Sequence, residues 1–373
     1  MRSRFLLVGS FALSMLKFRK DLLASILEKG FEVHVSLPLP DEDVWIAEEF
    51  RSMGIIVHES PLARTGTNPF GDLYSLYKLW RLMRSVRPSH VMSYTIKPIV
   101  YGSLAAWLAR VPNRFALVTG RGYAFEGDSS RWHVGNLALW LYRVSLRYVK
   151  LVMFQNKDDE ALFVDRGLVA PGSRTVVMNG SGVNLDEFPV RPLPSKTSFL
   201  MIARLLGAKG IREYVAAARM LRDGGHGAEF RVVGWIDENP DAISDEELKE
   251  WQAEGVVEFL GRQNDVRPFI EASSVYVLPS YREGTPRTVL EAMAMGRPVI
   301  TTDAPGCREP VQIGENGYLV PVGAVDELAD AMRRFIDNPE VTEQMGRRSR
   351  EIAEERYDVH KVNAAMMSEM GIE

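Results

Sequence analysis

The 373-residue chain contains one cysteine, Cys307. A lone thiol excludes an internal disulfide framework and fits a reducing cytosol. Only six histidines are present and none has metal-ligand spacing. No Ser, His and Asp arrangement of a hydrolase is legible. No run of about 18 consecutive apolar residues occurs, which excludes a membrane-spanning helix. The one G-x-G pair, Gly120 and Gly122 in "VTGRGYAFEG", lacks the third glycine of a dinucleotide fingerprint, and no helix starts there. The turn after the first strand carries only Gly9, so a Rossmann dehydrogenase is excluded too. Internal repeats and low-complexity tracts are likewise lacking.

What is present describes a soluble globular protein: 46% apolar and 25% charged residues. The length predicts two domains. The opening "MRSRFLLVGSFALSMLKFRK" mimics a signal peptide but has no A-x-A-like cleavage site, and an amphipathic stretch continues it. It reads as a buried strand, Phe5 to Val8, a Gly9–Ser10 turn and a helix. Net charge is −4, yet Lys and Arg outnumber Asp and Glu by 10 between residues 64 and 150. That excess predicts an anionic partner for the first half. Nucleic acid is a poor candidate, because the overall pI is near 6.0 and no nucleic-acid module is recognisable.

Short apolar runs alternate with amphipathic stretches along the whole chain. Strands are predicted at "RFLLV", "EVHVSL", "IIVH", "HVMSY", "RFALV", "LVMFQ" and "TVVMN", then at "SFLMIA", "FRVVG", "VEFLG", "VYVLP", "PVITT" and "GYLVP". This alternation predicts α/β architecture, two Rossmann-like doubly wound parallel-sheet domains facing each other across a cleft. The proline-rich stretch "DEFPVRPLPSKTS" marks the boundary. The expected division is residues 1–190, residues 191–355, and a C-terminal helix over 356–373 packing back on the first domain. Ligands belong at the carboxyl ends of the strands.

Three stretches of the second half converge on one chemistry. "MIARLLGAKGIREY" places Arg204 and Lys209 after a strand and at a helix start, where side chains, free N–H groups and the helix dipole all favour a diphosphate. Surface charge with Gly210 as a turn is the bland alternative. The loop Gly261 to Asn264, with Arg262, offers backbone to a nucleobase. In "YREGTPRTVLEAMAMGRPVI", Thr285 reads as an N-cap, Pro286 as the first helical residue and Gly296 as the residue past the helix end. Glu283 and Glu291 then stay near the strand's carboxyl edge, suited to accept hydroxyl hydrogen bonds from a sugar and a ribose. A solvated loop acid plus a helix-surface acid is the alternative.

The E-x7-E of "EGTPRTVLE", the R-x4-K of "RLLGAK", "NGSGVNLDEF" and "DAPGCREPVQIGENGYLVP", in this order, resemble the retaining family 4 glycosyltransferases. The resemblance implies the GT-B fold, a nucleotide-sugar donor and no catalytic metal or other cofactor. It places Glu283 on the donor sugar, Glu291 on the ribose, and Arg204 with Lys209 on the diphosphate. Backbone around Ala304 to Arg308, including Gly306 and Cys307, is implied to hold sugar or phosphates, with the loop Gly180 to Val183 near the cleft. Within the family, "RFALVTGRGYAF", "MIARLLGAKGIREY" and "VVGWIDENPDAIS" resemble the bacterial branch that adds α-1,3-linked N-acetylgalactosamine to an undecaprenyl-diphosphate-linked sugar. That implies a UDP-N-acetylhexosamine donor and a polyprenyl-diphosphate-linked glycan acceptor. Two departures stand out. Thr119–Gly120–Arg121–Gly122 replaces a family motif that contains histidine, and Asn184 replaces a family aspartate.

For the acceptor, Gly9, Ser10, Lys17, Arg19, Gly120, Arg121, Gly122 and Arg131 are the candidates, with His133 a weaker one. The helix "DLYSLYKLWRLMRSVRP" carries Leu73, Leu76, Tyr77, Trp80 and Met83 near helical spacing, with Lys78, Arg81 and Arg84 between them. "SRWHVGNLALWLYRVSLRYVK" repeats the combination. Aromatic and basic residues together suit an anionic membrane surface, hence a peripheral protein on the inner face of the plasma membrane. A core-facing helix with a solvated basic face is the alternative. "DED" at 41–43 matches a metal-binding D-x-D, but it precedes a helix and reads as N-terminal capping. A UDP-sugar epimerase of the same fold and a noncatalytic nucleotide-sugar-binding protein remain the competing functions.

Overall fold

The computed structural model describes residues 2–62, 69–120, 132–237 and 239–373, the side chains of Glu42 and residues 132–136 excepted. All thirteen runs predicted as strands are strands, and every ladder between them is parallel. The first sheet comprises β1 (Arg4–Val8), β2 (Glu32–Leu37), β3 (Ile56–Glu59), β4 (His90–Tyr94), β5 (Asn113–Val118), β6 (Leu151–Phe154) and β7 (Arg174–Val177), in the order β3-β2-β1-β4-β5-β6-β7. The second comprises β8 (Ser198–Ile202), β9 (Glu229–Val233), β10 (Glu258–Phe259), β11 (Val275–Leu278), β12 (Val299–Thr302) and β13 (Gly317–Val320), in the order β10-β9-β8-β11-β12-β13.

Helices cover both sheet faces, so the central strands are buried along their whole length and read as continuous apolar runs rather than alternating ones. The order reverses between β1 and β4 in one sheet and between β8 and β11 in the other, the switch points at whose carboxyl ends open α/β sheets bind ligands.

Two compact units result: residues 1–181 with 362–373, and residues 182–361. The division precedes the proline-rich stretch, because that stretch is fastened to the second unit. Val183 and Val359 exchange backbone bonds with each other's neighbourhood, Val183 N–H to Tyr357 O at 2.8 Å and Val359 N–H to Val183 O at 3.0 Å. Arg297 is fully buried and donates to the carbonyls of Arg191 and Pro192 at 2.5 and 2.8 Å. The same guanidinium also donates to Ile270, Glu271, Ser273 and Met295. At the chain's end, Met366, Met367, Met370 and Ile372 lie in the core of the first unit with Phe5, Met92 and Leu117.

Candidate active site

The loop leaving β8 is fixed on two sides. Leu205 N–H bonds Trp235 O at 2.9 Å and Gly207 N–H bonds Asp241 O at 2.9 Å, which ties it to the loop leaving β9. On the other side Tyr281 N–H and the Ser280 hydroxyl both bond Ala208 O, at 2.9 and 3.1 Å, tying it to the exit of β11. Gly210 closes the turn at φ +74, and a Cβ there would lie 2.1 Å from Pro279 O. Only glycine accepts that torsion and that approach together. The helix Ile211–Asp223 begins at this residue.

This stitching brings Lys209 against Glu283, and the ammonium and carboxylate form a hydrogen-bonded ion pair with side chains only 20% and 15% exposed. Arg204 pairs with Asp237 at 2.5 Å. Glu291 is 9% exposed and takes a 2.9 Å bond from Arg287 one helical turn earlier. Of the cations and acids singled out by spacing, Lys209 and Glu283 therefore meet between the loops leaving β8 and β11, whereas Arg204 turns to the loop leaving β9 and Glu291 to its own helix. Asp237 and Arg287 were not singled out by the sequence reading. Nor was Asp241, whose carboxylate accepts from Ala208 N–H at 2.7 Å. Their signal was present in "WIDENPD" and "TPR", but no local rule says which distant residue such charges meet.

Several expectations need correction. The helix starts at Arg287 with Pro286 in the extended cap position, φ −73 and ψ 110, and no side-chain cap bond, so Thr285 is not the N-cap. Pro286 lacks an N–H and takes the residue just outside the helix instead of the first one inside. At Cys307, where the backbone is expected to serve a ligand, the side chain is turned into the core. It is buried, its Sγ lies 3.5 Å from Ser280 O, and burial together with the nearby Glu283 charge pushes its pKa to about 12. The Cys307 and Arg308 amides are both bonded to Ala304 O at 3.1 Å. Arg308 turns its guanidinium to Asp303 at 2.7 Å. Gly306 has φ +77, and its missing Cβ would lie 2.1 Å from Glu283 O. This turn therefore acts on Glu283 by backbone packing, reinforced by Glu283 N–H bonding Pro305 O at 3.0 Å. Gly261, also left-handed at φ +67, accepts from Gly234 N–H at 3.0 Å, and Arg262 lies over the Trp235 ring at 5.0 Å.

In the first unit Gly9 and Ser10 occupy the β1/β4 switch point. A Cβ on Gly9 would lie 2.6 Å from Met15 Cε, and the Ser10 hydroxyl is 3.0 Å from that of Thr95. Thr95 itself holds φ +69, a torsion that β-branched residues rarely adopt. Lys17 is exposed, whereas Arg19 is buried at 2% with its guanidinium 5.7 Å from the Tyr94 ring centre; helix packing turns it inward, so it is no surface cation. Gly120 is described, with φ +147. Arg121, Gly122, Arg131 and the His133 side chain lie outside the described residues.

The aspartates of "DED" form the turn Asp41–Asp43 before the helix Val44–Ser52, without a side-chain cap bond. In the helix Pro69–Val86 the buried face is Ser75, Leu79, Met83 and Val86, with Leu76 and Trp80 packed partly buried against the same core, which leaves Leu73, Tyr74 and Tyr77 exposed. No helix is long and apolar enough to cross a membrane, and no three His, Cys, Asp or Glu side chains gather to hold a metal ion, both among the described residues.

Comparison with known proteins decides the family. A model described as "Glycosyl transferase 4-like domain" matches residues 18–180, and one described as "Glycosyl transferases group 1" matches residues 196–338. The chain belongs to these glycosyltransferases. It is 28% identical, over 87% of each chain, to the N,N'-diacetylbacillosaminyl-diphospho-undecaprenol alpha-1,3-N-acetylgalactosaminyltransferase of Campylobacter jejuni. It is 26% identical to the UDP-Gal:alpha-D-GlcNAc-diphosphoundecaprenol alpha-1,3-galactosyltransferase of Escherichia coli, covering 72% of this chain and 71% of that one. Anabaena HepE, solved with UDP and glucose, superposes with a TM-score of 0.76 at 20% identity, over 99% of this chain and all of that one. Sucrose-phosphate synthase of Thermosynechococcus elongatus gives a TM-score of 0.78 at 19% identity over 98% of both chains. Both neighbours share the GT-B fold of the transferase.

Proposed function

We propose that the transferase moves an N-acetylhexosamine, N-acetylgalactosamine first among them, from its UDP conjugate to a polyprenyl-diphosphate-linked sugar, with retention and an α-linkage. The observation that carries this reading is the Lys209–Glu283 ion pair at the exits of β8 and β11, beside the start of the helix Ile211–Asp223, with Arg204 on the same β8 exit loop and Glu291 on the helix that follows β11. The relatives from C. jejuni and E. coli, whose names both specify diphospho-undecaprenol-linked substrates, support the acceptor class.

Each residue has a task in this reading. Arg204 and Lys209 bind the diphosphate and stabilise the negative charge that develops on departing UDP, without a metal or other cofactor. Glu283 accepts from a hydroxyl of the transferring sugar and Glu291 from the ribose. Gly306, Cys307 and Arg308 shape the sugar's side of the site through the Glu283 backbone, and Gly261 with Arg262 borders the nucleobase. Gly9, Ser10 and Lys17 belong to the acceptor side. Retention is read as front-face attack, with the leaving phosphate taking the acceptor proton, so no side-chain base is assigned. Exposed Leu73, Tyr74, Tyr77 and Trp140, together with Lys78, Arg81 and Arg84, rest on an anionic membrane surface on its cytoplasmic side.

Screening UDP-sugars against polyprenyl-diphosphate and water-soluble acceptors by mass spectrometry, with NMR of the product, tests the reading. An α-linked N-acetylhexosamine on the lipid-linked acceptor is the expected product. A β-linkage refutes retention, and interconversion of UDP-sugars without transfer shifts the assignment to an epimerase.

A further inference from the structure

Without donor, the two groups assigned to diphosphate and sugar hold each other. The Lys209 ammonium and the Glu283 carboxylate are hydrogen-bonded, and neither side chain is more than one-fifth exposed. We propose that intact donor makes them exchange partners, so that the site favours the UDP-sugar over free UDP. This rests on the donor-site reading above.

The physical reasoning concerns what each ligand leaves unsatisfied. A diphosphate draws Lys209 to itself and strips Glu283 of its cation in a place that water reaches poorly. A part-buried carboxylate without a partner is costly, and a second anion beside it adds repulsion. The Glu283 N–H is committed to Pro305 O at 3.0 Å, and the neighbouring Cys307 thiol stays protonated and neutral, its pKa pushed to about 12. Free UDP brings no group that donates to Glu283. A UDP-sugar brings hydroxyls, which do. The intact donor therefore satisfies both members of the broken pair, whereas the product satisfies only Lys209. Once the sugar has left, re-forming the Lys209–Glu283 pair favours release of UDP.

Arg204 and Asp237 form an internal contrast. They are paired too, at 2.5 Å, but Asp237 stands on the loop leaving β9 and has no assigned sugar contact. Neutralising Asp237 changes competition for Arg204 equally for both ligands.

Calorimetry on the full chain, with UDP and with UDP-N-acetylgalactosamine in the absence of acceptor, tests the exchange in wild type, Glu283→Gln and Asp237→Asn. Circular dichroism confirms folding, and UDP product inhibition of transfer gives a second readout. In Glu283→Gln, UDP binds about tenfold tighter while the UDP-sugar gains no such advantage, so the ratio of the two dissociation constants shifts by about tenfold. In Asp237→Asn both constants move together and the ratio is unchanged. An unchanged ratio in Glu283→Gln overturns the exchange while leaving the donor site standing. Failure of both nucleotides to bind wild type overturns the donor-site reading, and the exchange with it.

Discussion

Replacing Gly306 by alanine tests whether the backbone of the 303–308 turn sets the position of Glu283. The added Cβ would stand 2.1 Å from Glu283 O and 2.5 Å from Gly284 O, against an ordinary contact that begins at 3.4 Å. Both atoms are backbone, so no rotamer change relieves the overlap. The turn or the 283–284 segment must move by roughly an ångström. The residue also holds φ +77, which costs an alanine about 1–2 kcal/mol by itself. Adding an overpacking cost of similar size gives a destabilisation of about 2–4 kcal/mol. For a unit of this size that lowers the melting temperature by roughly 5–15 °C. The kinetic effect is the sharper test, because a displacement of about 1 Å at a reacting group costs on the order of 100-fold. Glu291 belongs to a different element, the helix Arg287–Ala294, and is held there by Arg287. UDP affinity by calorimetry therefore stays within a few-fold of wild type while kcat falls about 100-fold. If Gly306→Ala keeps its turnover and loses only thermal stability, the packing of this turn does not position Glu283 and the reasoning fails.

Three further outcomes follow from other parts of the second and first units. Lys209→Ala lowers kcat by about 10²–10³ at intact secondary structure, since a charge-stabilising donor is lost where the leaving group becomes an anion; near-normal turnover counts against the diphosphate role. Arg297→Met costs at least about 4 kcal/mol in urea unfolding, because it strips a buried guanidinium from six carbonyls, including two of the linker. A loss under about 1 kcal/mol would show the linker to be held by other contacts. Burial depresses the pKa of both His58 and His90, so the folded state resists protonating them more than the unfolded chain does. Their stabilising contribution is then full above the ordinary value of 6.5 and is lost as pH falls through it. Unfolding free energy measured from pH 8 to pH 5 declines accordingly, and the double variant His58→Gln, His90→Gln flattens that decline.

Much of the architecture was legible because parallel strands covered on both faces leave an unusually plain trace. "HVMSY", "SFLMI" and "VYVL" are buried at every position, and no other common element produces four or five such residues between helical stretches. The ends of elements were read less well where a single residue's geometry decides them. "GTPRT" is compatible with a helix starting at either Pro286 or Arg287, and only the torsion ψ 110 at Pro286 selects the second. The domain boundary was displaced for a different reason. Prolines signal a break in regular structure, not a break in packing, and Arg297, about a hundred residues further on, ties Arg191 and Pro192 to the unit that follows. In the helix Pro69–Val86, Ser75 takes a buried position that an apolarity count assigns elsewhere. Its hydroxyl is satisfied by Gly71 O at 2.9 Å, which removes the cost that would have kept a serine out.

At the site itself, spacing identified the acids and cations but not their mutual arrangement. Lys209 and Glu283 are 74 residues apart, and Arg204 and Asp237 are 33 apart. Nothing in an R-x4-K or an E-x7-E says that a positive member of one motif neutralises a negative member of the other. Yet the fold makes the meeting unavoidable. With β8 and β11 adjacent, Gly210 can press on Pro279 only if the loops leaving both strands share one crevice, and each loop carries one member of the pair. Two glycines without room for a methyl group thus fix the electrostatics: Gly210 from the Lys209 side and Gly306 from the Glu283 side. The charges that a sequence displays as separate motifs are, in the folded unit, already paired across those motifs, and under the donor site proposed above a nucleotide-sugar must part Lys209 from Glu283 before any chemistry begins.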